Sequence, residues 1–433
     1  MSILTFIQRQ IFDLQQGGHA ELFRKMKIAL RILSKSLLYF FLGILSIPAM
    51  LAIRLIRPWL LVRWGGLISS RIGHFAANTE LYFCERDANI NKPMQRYVDI
   101  FYMAHKPICN QQLASMWERV LRVWPTWIIA PIAQVNRLIP GGLIHEIGSN
   151  TQFDRDVHNL LNRFPPHLKF TSEEETRGEA YLRAMGIPTE SPFVCLTIRD
   201  SSYLNINQPG DWSYHNYRDS NVQNFVLAAE ELAKRGYFVI RMGAIVHETL
   251  KSAHPQVIDY ATNGMRSEFL DIYLGANCDF CISVGTGFDA IPYIFRRPIV
   301  YVNFVPLGYL GTYVKQALCI PKHHILKNDD RELTLSEIFT RGVGFSLFTS
   351  DFESKGIQLI ENTPEEIRDV VIEMAERLNG TWQPDENDES LQKRFWDIFP
   401  TEVVDPSNRR PLHGEIRSRF GAHFLRNNRE FLK

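Results

Sequence analysis

The sequence predicts an α/β fold: a parallel, doubly wound sheet in a two-domain chain, preceded by an N-terminal helical, membrane-associated segment. Three observations predict it. At 433 residues the chain exceeds what one hydrophobic core usually serves, so two domains are expected. From residue 191 onward, short apolar runs alternate with amphipathic helical ones, the pattern of successive βα units. Residues 36–53, SLLYFFLGILSIPAMLAI, carry no formal charge over 18 positions.

That apolar run sits near the lower length limit for crossing a bilayer, and Pro48 interrupts it. It starts too late, and lacks a small-residue cleavage site, to be a signal peptide. Arg24, Lys25, Lys27, Arg31 and Lys35 precede it, and Arg54, Arg57 and Arg63 follow. Basic residues on both sides favour an interfacial or re-entrant anchor with both ends cytoplasmic. A spanning helix and a buried helical hairpin are the alternatives. Residues 1–25 place Ile3, Phe6, Ile7, Ile11 and Leu14 at helical spacing, so residues 1–57 are expected to meet a membrane surface.

Composition bounds the rest. A net charge of +1 gives no global attraction to nucleic acid, which is not expected as a partner. Six cysteines lie in apolar or strand-like text. Cys278 and Cys281 are spaced as CxxC, but no second pair completes a zinc site, so reduced core cysteines in a cytosolic setting are expected. Asp329–Asp330 reads as part of a polar loop and His323–His324 as surface residues, and no metal site is expected.

In chain order, WLLVRW reads as a strand, FAANTELYFCE as a helix, YVDIFYM as a strand, NQQLASMWERVLR as a helix and WIIAPI as strand-like. TRGEAYLRAMGI reads as a helix after a breaker-rich stretch. PFVCLTIRD, YFVIRMG, VIDYA, DFCISV and PIVYVN then read as strands, separated by helices at NVQNFVLAAEELAKRG, SEFLDIYLGAN and TGFDAIPYIFR. Gly236 closes the first of these helices. TPEEIRDVVIEMAERLNG carries Thr363 as N-cap, Pro364 at the first helical position and Glu366 completing a capping box. The basic tail is expected to return as a final helix.

Ligands of an open parallel sheet bind beyond the carboxyl ends of its strands. Four loops fall there: Arg199 and Asp200; Arg241 and Gly243; Arg266 and Glu268; and Ser283, Gly285, Thr286, Gly287 and Asp289. Arginines beside glycine-rich amides at a helix start form a diphosphate site. Each also has a structural reading: Arg241 as a salt bridge, Gly285 and Gly287 as positive-φ positions. Position 290 is Ala, so the dinucleotide pattern GxGxxG is absent, and no GK[ST] phosphate loop occurs. Arg218 offers a further phosphate contact, with Asp219 or Ser220 capping the next helix. His74, in RIGH, is either a general base toward an acceptor hydroxyl or a packing residue at a helix start.

RWGGLISSRIGHFAANTELYFCE, the pair RDSS and YRDSN, and SVGTGFDAIP together resemble a family of predicted bacterial glycosyltransferases near surface-polysaccharide genes, from about residue 57 to the C-terminal helix. More distantly the chain is similar to the fucosyltransferase-like GT-B superfamily, in which an arginine binds the donor diphosphate and a late loop contacts the nucleotide. That resemblance makes Arg199 the arginine, and Ser283, Thr286, Gly287 and Asp289 the loop. Ile198 stands where those enzymes usually carry histidine. The resemblance implies a GT-B-like fold: two Rossmann-like domains facing across a cleft, 58–190 for the acceptor and 191–375 for the donor, with 376–433 as a returning tail. It implies a hexosyltransferase-type reaction. A nucleotide sugar would be the donor, and a glycan, polysaccharide or lipid-linked molecule the acceptor. No cofactor or metal is expected, and the place is the cytoplasmic side of the inner membrane, peripheral or monotopic. His74 and Arg199 would be catalytic, with Arg218, Arg241 and the loop binding the donor. The alternatives are a GT-B-shaped nucleotide-sugar epimerase or hydrolase, and a non-catalytic membrane-attached assembly protein.

Overall fold

The computed structural model describes residues 3–147, 154–199, 212–405 and 409–433. Asp200 lies outside the described residues. Helix α1 (Ile3–Ile56) leads to strand β1 (Leu61–Leu67), α2 (Ile72–Asp87), β2 (Tyr97–Met103), α3 (Gln111–Val120), α4 (Thr126–Arg137) and α5 (Ser172–Ala184). There follow β3 (Phe193–Thr197), α6 (Val226–Lys234), β4 (Phe238–Met242), β5 (Val257–Ile258), α7 (Glu268–Asn277), β6 (Phe280–Ser283), α8 (Ala290–Ile294) and β7 (Ile299–Phe304). The remainder holds β8 (Ala317–Pro321), β9 (His323–Leu326), β10 (Arg331–Glu332), α9 (Leu335–Thr340), α10 (Thr349–Ser354), β11 (Ile357–Ile360), α11 (Pro364–Asn379), α12 (Asp388–Ile398), β12 (Arg419–Phe420) and α13 (Ala422–Asn427).

These elements form two compact units. The first comprises residues 1–66, 93–104 and 122–148. Its core joins Met50 of α1, Val62 and Trp64 of β1, and Ile129, Ile132 and Ala133 of α4. Arg54 of α1 is tied to α4 through Asn136 Oδ1 at 2.9 Å, and to the carbonyls of Ile139 and Pro140. Arg63 and Asp99 form a buried pair at 2.7 Å. WIIAPI, expected as strand-like, is helical within α4. An apolar run of six fits either period, and here Ile129, Ile132, Ala133 and Asn136 are buried at helical spacing. Among the described residues of 58–190 only β1 and β2 are strands, with two single parallel bridges beside them, so no doubly wound sheet forms in that stretch. The apolar run 36–53 continues α1 through Pro48, and among the described residues no helix is long and apolar enough to cross a membrane.

The second unit comprises residues 67–92, 105–121 and 149–433. Its main sheet has seven strands in the order β12-β8-β7-β6-β3-β4-β5, all parallel. Apolar clusters cover it, which is why β3 reads FVCLT with every position buried. The chain lays β3, β4 and β5 outward in one direction, then returns to place β6 on the other side of β3. The order therefore reverses between β3 and β6, the place where doubly wound sheets open a crevice.

Local signals hold well here. Thr363 and Glu366 form the predicted capping box on α11, closed by Gly380 in the left-handed region. Five cysteines are buried, Cys109 is partly so, and all six are free thiols. Others do not hold. The predicted N-cap at Asp219 or Ser220 belongs to Asn221, whose side chain accepts from the Gln223 amide. His323 and His324 lie on β9 of an antiparallel three-stranded sheet, not among exposed surface residues. His323 sits between Glu332 (2.7 Å) and Glu366 (3.0 Å), which hold it charged, its pKa pushed up to about 10. His324 points the other way into the core, where burial lowers its pKa to about 4. The tail contributes β12 to the sheet as well as the short α13.

Candidate functional site

At the reversal, Thr197 of β3 and Ser283 of β6 are register partners. Beyond them opens a cavity of about 860 Å³, whose described lining residues all belong to the second unit. One wall is the loop after β6. Gly285 takes φ +78°, which an L side chain rarely adopts, and so turns the chain from strand to helix. Asp289 gathers the loop: its carboxylate accepts from Ser283 Oγ (2.5 Å), the Thr286 amide (2.8 Å) and Thr286 Oγ1 (3.0 Å). Burial raises the Asp289 pKa to about 6, against these hydrogen bonds and the nearby Arg218 charge. Ser283 is fully buried and does not line the cavity, whereas Gly285, Thr286, Gly287 and Asp289 do.

The adjoining wall is the start of α2. Its N-cap is Arg71, which gives no side-chain cap, and Ile72, Gly73 and His74 of its first turn line the cavity. Gly73 permits this approach: a Cβ there would stand 3.2 Å from the Gly287 backbone. The start of α2, which carries partial positive charge, thus meets the loop after β6 at Gly287.

Cations complete it. Arg71, Arg199 and Arg218 line the cavity, and all three together with burial depress the pKa of His215 to about 4. Arg218 donates to the carbonyl of Gly285, joining the guanidinium to the loop. Arg199 lies 3.3 Å from Asp219, but burial first and the Arg218 charge second lower its pKa. The buried Nε of Arg218 has no hydrogen-bond partner among the described residues, while that of Arg199 has Asp219 at 3.3 Å. A buried arginine donor without an acceptor suits an anionic ligand.

The other predicted residues divide. Arg241 does not reach the cavity: it is 1% exposed and pairs with Asp259 at 3.2 Å, while Met242 and Gly243 supply the lining at that strand end. Arg266 lines the cavity but binds Asp271 at 2.6 Å. Glu268 is structural, accepting from the Gln111 amide at the start of α3. His74 lines the cavity, with Nδ1 3.3 Å from Asn78 Oδ1 and 3.6 Å from Asp154 Oδ2. Sequence reading missed Arg71, His215 and Asp154. Arg71 stands three positions before His74 in the quoted RIGH stretch, and only the helix start places it at the mouth.

A second cluster, Glu80, Cys84 and His167, brings three metal-ligating types within 4.8 Å. One carboxylate oxygen is already used: Glu80 Oε1 binds Arg296 at 2.6 Å and His167 at 3.0 Å, and His167 is held from its other side by Asp87 at 2.9 Å. The donor set is an ion-pair network, and it fits a metal poorly.

No protein-family model matches the chain, and neither does any curated protein. Among solved structures it is similar to a family 9 glycosyl transferase from Veillonella parvula, at 12% identity and a TM-score of 0.40, covering 74% of this chain and 96% of that one. It is also similar to ADP-heptose lipopolysaccharide heptosyltransferase II of E. coli, at 14% identity and TM-score 0.34, covering 60% and 90%. E. coli heptosyltransferase WaaC, solved with ADP-2-deoxy-2-fluoro heptose, gives 12%, TM-score 0.30, and 60% and 93%. Superposition this loose transfers no residue role, and the reading of the cavity rests on its own geometry.

Proposed function

We propose that the chain is a GT-B glycosyltransferase that moves a sugar from a nucleotide-sugar donor to a glycan, polysaccharide or lipid-linked acceptor. The observation that carries this reading is the convergence of Arg71, Arg199 and Arg218 with the start of α2 and the loop after β6 at the point where strand order reverses. A diphosphate has the charge and size to occupy that place. In transfer, the bond between the anomeric carbon and the phosphate oxygen breaks, and negative charge grows on the departing diphosphate. Fixed guanidinium groups and amides stabilise that charge without reorganising, the service a divalent metal gives elsewhere. His74 takes the proton from the acceptor hydroxyl as the new bond forms. Residues 191–375 hold the donor in this reading, and 58–190 supply His74 and the acceptor side. The reaction takes place at the cytoplasmic face of the inner membrane, with residues 1–57 as the attachment. Asp289 is assigned to shaping the loop, because its oxygens are already occupied.

Calorimetry with ADP, UDP, GDP and CDP tests the reading and identifies the base. One of the four is expected to bind. No heat from any of them at millimolar concentration removes the proposal. With the donor known, His74→Ala is expected to lower turnover about 10²–10⁴-fold while nucleotide binding survives. Unchanged turnover takes His74 out of the mechanism.

A further inference from the structure

The first unit carries a surface that the cavity does not explain. It holds twelve Lys and Arg against four Asp and Glu, in a chain whose total is balanced at +1. The cationic excess is therefore segregated into this unit. Two of the four acids are already paired, Asp99 with Arg63 and Glu146 with Arg137. Lys27, Arg57 and Arg122 are exposed.

The same unit exposes large apolar side chains well outside α1. Trp127 on α4 is 61% exposed, Leu138 just after it 84%, and Leu143 78%, with Trp59 at 73% following α1. Along α1 itself Leu30, Leu33, Leu37, Phe41 and Leu45 are exposed at helical spacing. Scattered single apolar residues are ordinary, but this many on one cationic unit mark an interaction surface.

The chemistry selects the partner. Tryptophan favours the headgroup level of a bilayer, aliphatic side chains enter the acyl boundary, and Lys and Arg meet lipid phosphates. Nucleic acid would use the cations but leave the leucines in water. We propose that the first unit docks on an anionic bilayer surface through α4 and the loop after it, with Trp127, Leu138 and Leu143 inserting, in addition to α1. The unit lies on the membrane rather than crossing it, and full attachment needs both surfaces. This inference stands independently of sugar transfer.

The test is sedimentation of the full chain with phosphatidylethanolamine vesicles containing about a quarter phosphatidylglycerol, and with neutral phosphatidylcholine vesicles. Replacing Trp127, Leu138 and Leu143 together with Ser is expected to weaken binding to the anionic vesicles about tenfold or more, with an unchanged circular-dichroism melt. Affinity equal to the parent leaves attachment to α1 alone and overturns the proposal. It is also overturned if the parent self-associates without lipid and the triple variant does not, since the face then binds a second copy. Should the triple variant fail to fold, the pair Arg57→Glu with Arg122→Glu decides. Binding to anionic vesicles is then expected to fall while binding to phosphatidylcholine holds, and no change in either overturns the proposal.

Discussion

Arg199 and Arg241 both close strands at the same edge of one parallel sheet, β3 and its neighbour β4, yet they have opposite fates. Arg241 is still within β4, at the position paired with Leu196, so its side chain stays in the layer beside the sheet and finds Asp259. Arg199 stands two residues beyond the last residue of β3, where the chain has left the sheet and the side chain reaches the cavity. A shift of register relative to the strand end turns one arginine into scaffold and the other into a ligand-facing group. The lesson is that residue type at a strand end is a weak signal, and distance past the last ladder hydrogen bond is a stronger one.

The sharpest way to break this comparison is to remove the buried partner. Arg241→Met keeps the apolar stem but leaves Asp259 without its cation. The expected loss is about 3–5 kcal/mol of stability, seen as a lowered urea midpoint. Nucleotide affinity of the folded fraction is expected to stay unchanged. A large fall in affinity with little loss of stability would return Arg241 to the site and erase the distinction.

The converse substitution is Arg199→Ala. Arg199 pairs at 3.3 Å with Asp219, which is more exposed than Asp259, so the loss of stability is expected to be smaller than for Arg241→Met. Affinity for the nucleoside diphosphate is expected to fall by about 1.5–3 kcal/mol, roughly 10- to 150-fold, as a charge-assisted contact disappears. Calorimetry reads the affinity and thermal melting reads the fold. Equal affinity in parent and variant would make Arg199 a spectator of the cavity.

What was legible in the sequence follows from the range of the forces involved. The alternation from β3 to β7 and the box at Thr363 and Glu366 are short-range patterns, and they survive in the structure. The loop from Ser283 to Asp289 was legible as a strand–turn–helix for the same reason. WIIAPI was misread because six apolar residues do not distinguish a buried helix from a strand, and burial against α1 decides it. β8 and β12 gave no sequence signal, because their short runs are strands only once the sheet edge exists to pair with them. Arg71 was invisible as a site residue because it meets Arg199 and Arg218 only through tertiary folding, and His215, on the same turn as Arg218, meets Arg199 and Arg71 in that way. The pairings that removed Arg241 and Glu268 from the site, with Asp259 and Gln111, are of the same non-local kind.

The smallest expected effect probes how Arg218 is held on the ligand-facing side of the comparison. Its guanidinium donates to the Gly285 carbonyl, and that carbonyl is aimed by the positive φ of Gly285. Space is not the obstacle to a side chain there, since an added Cβ would stand 3.4 Å from the nearest atom, in the Phe304 ring. The backbone conformation is the obstacle. Gly285→Ala is therefore expected to cost about 1–2 kcal/mol of stability through the left-handed conformation alone. If the loop is a cradle, relaxing that strain turns the carbonyl away and frees Arg218, and affinity falls as well, by less than Arg199→Ala removes. If the loop is only a bend, the melting temperature falls and the calorimetric affinity stays where it was. The two readouts separate a turn that presents an arginine to a ligand from a turn that merely reverses the chain.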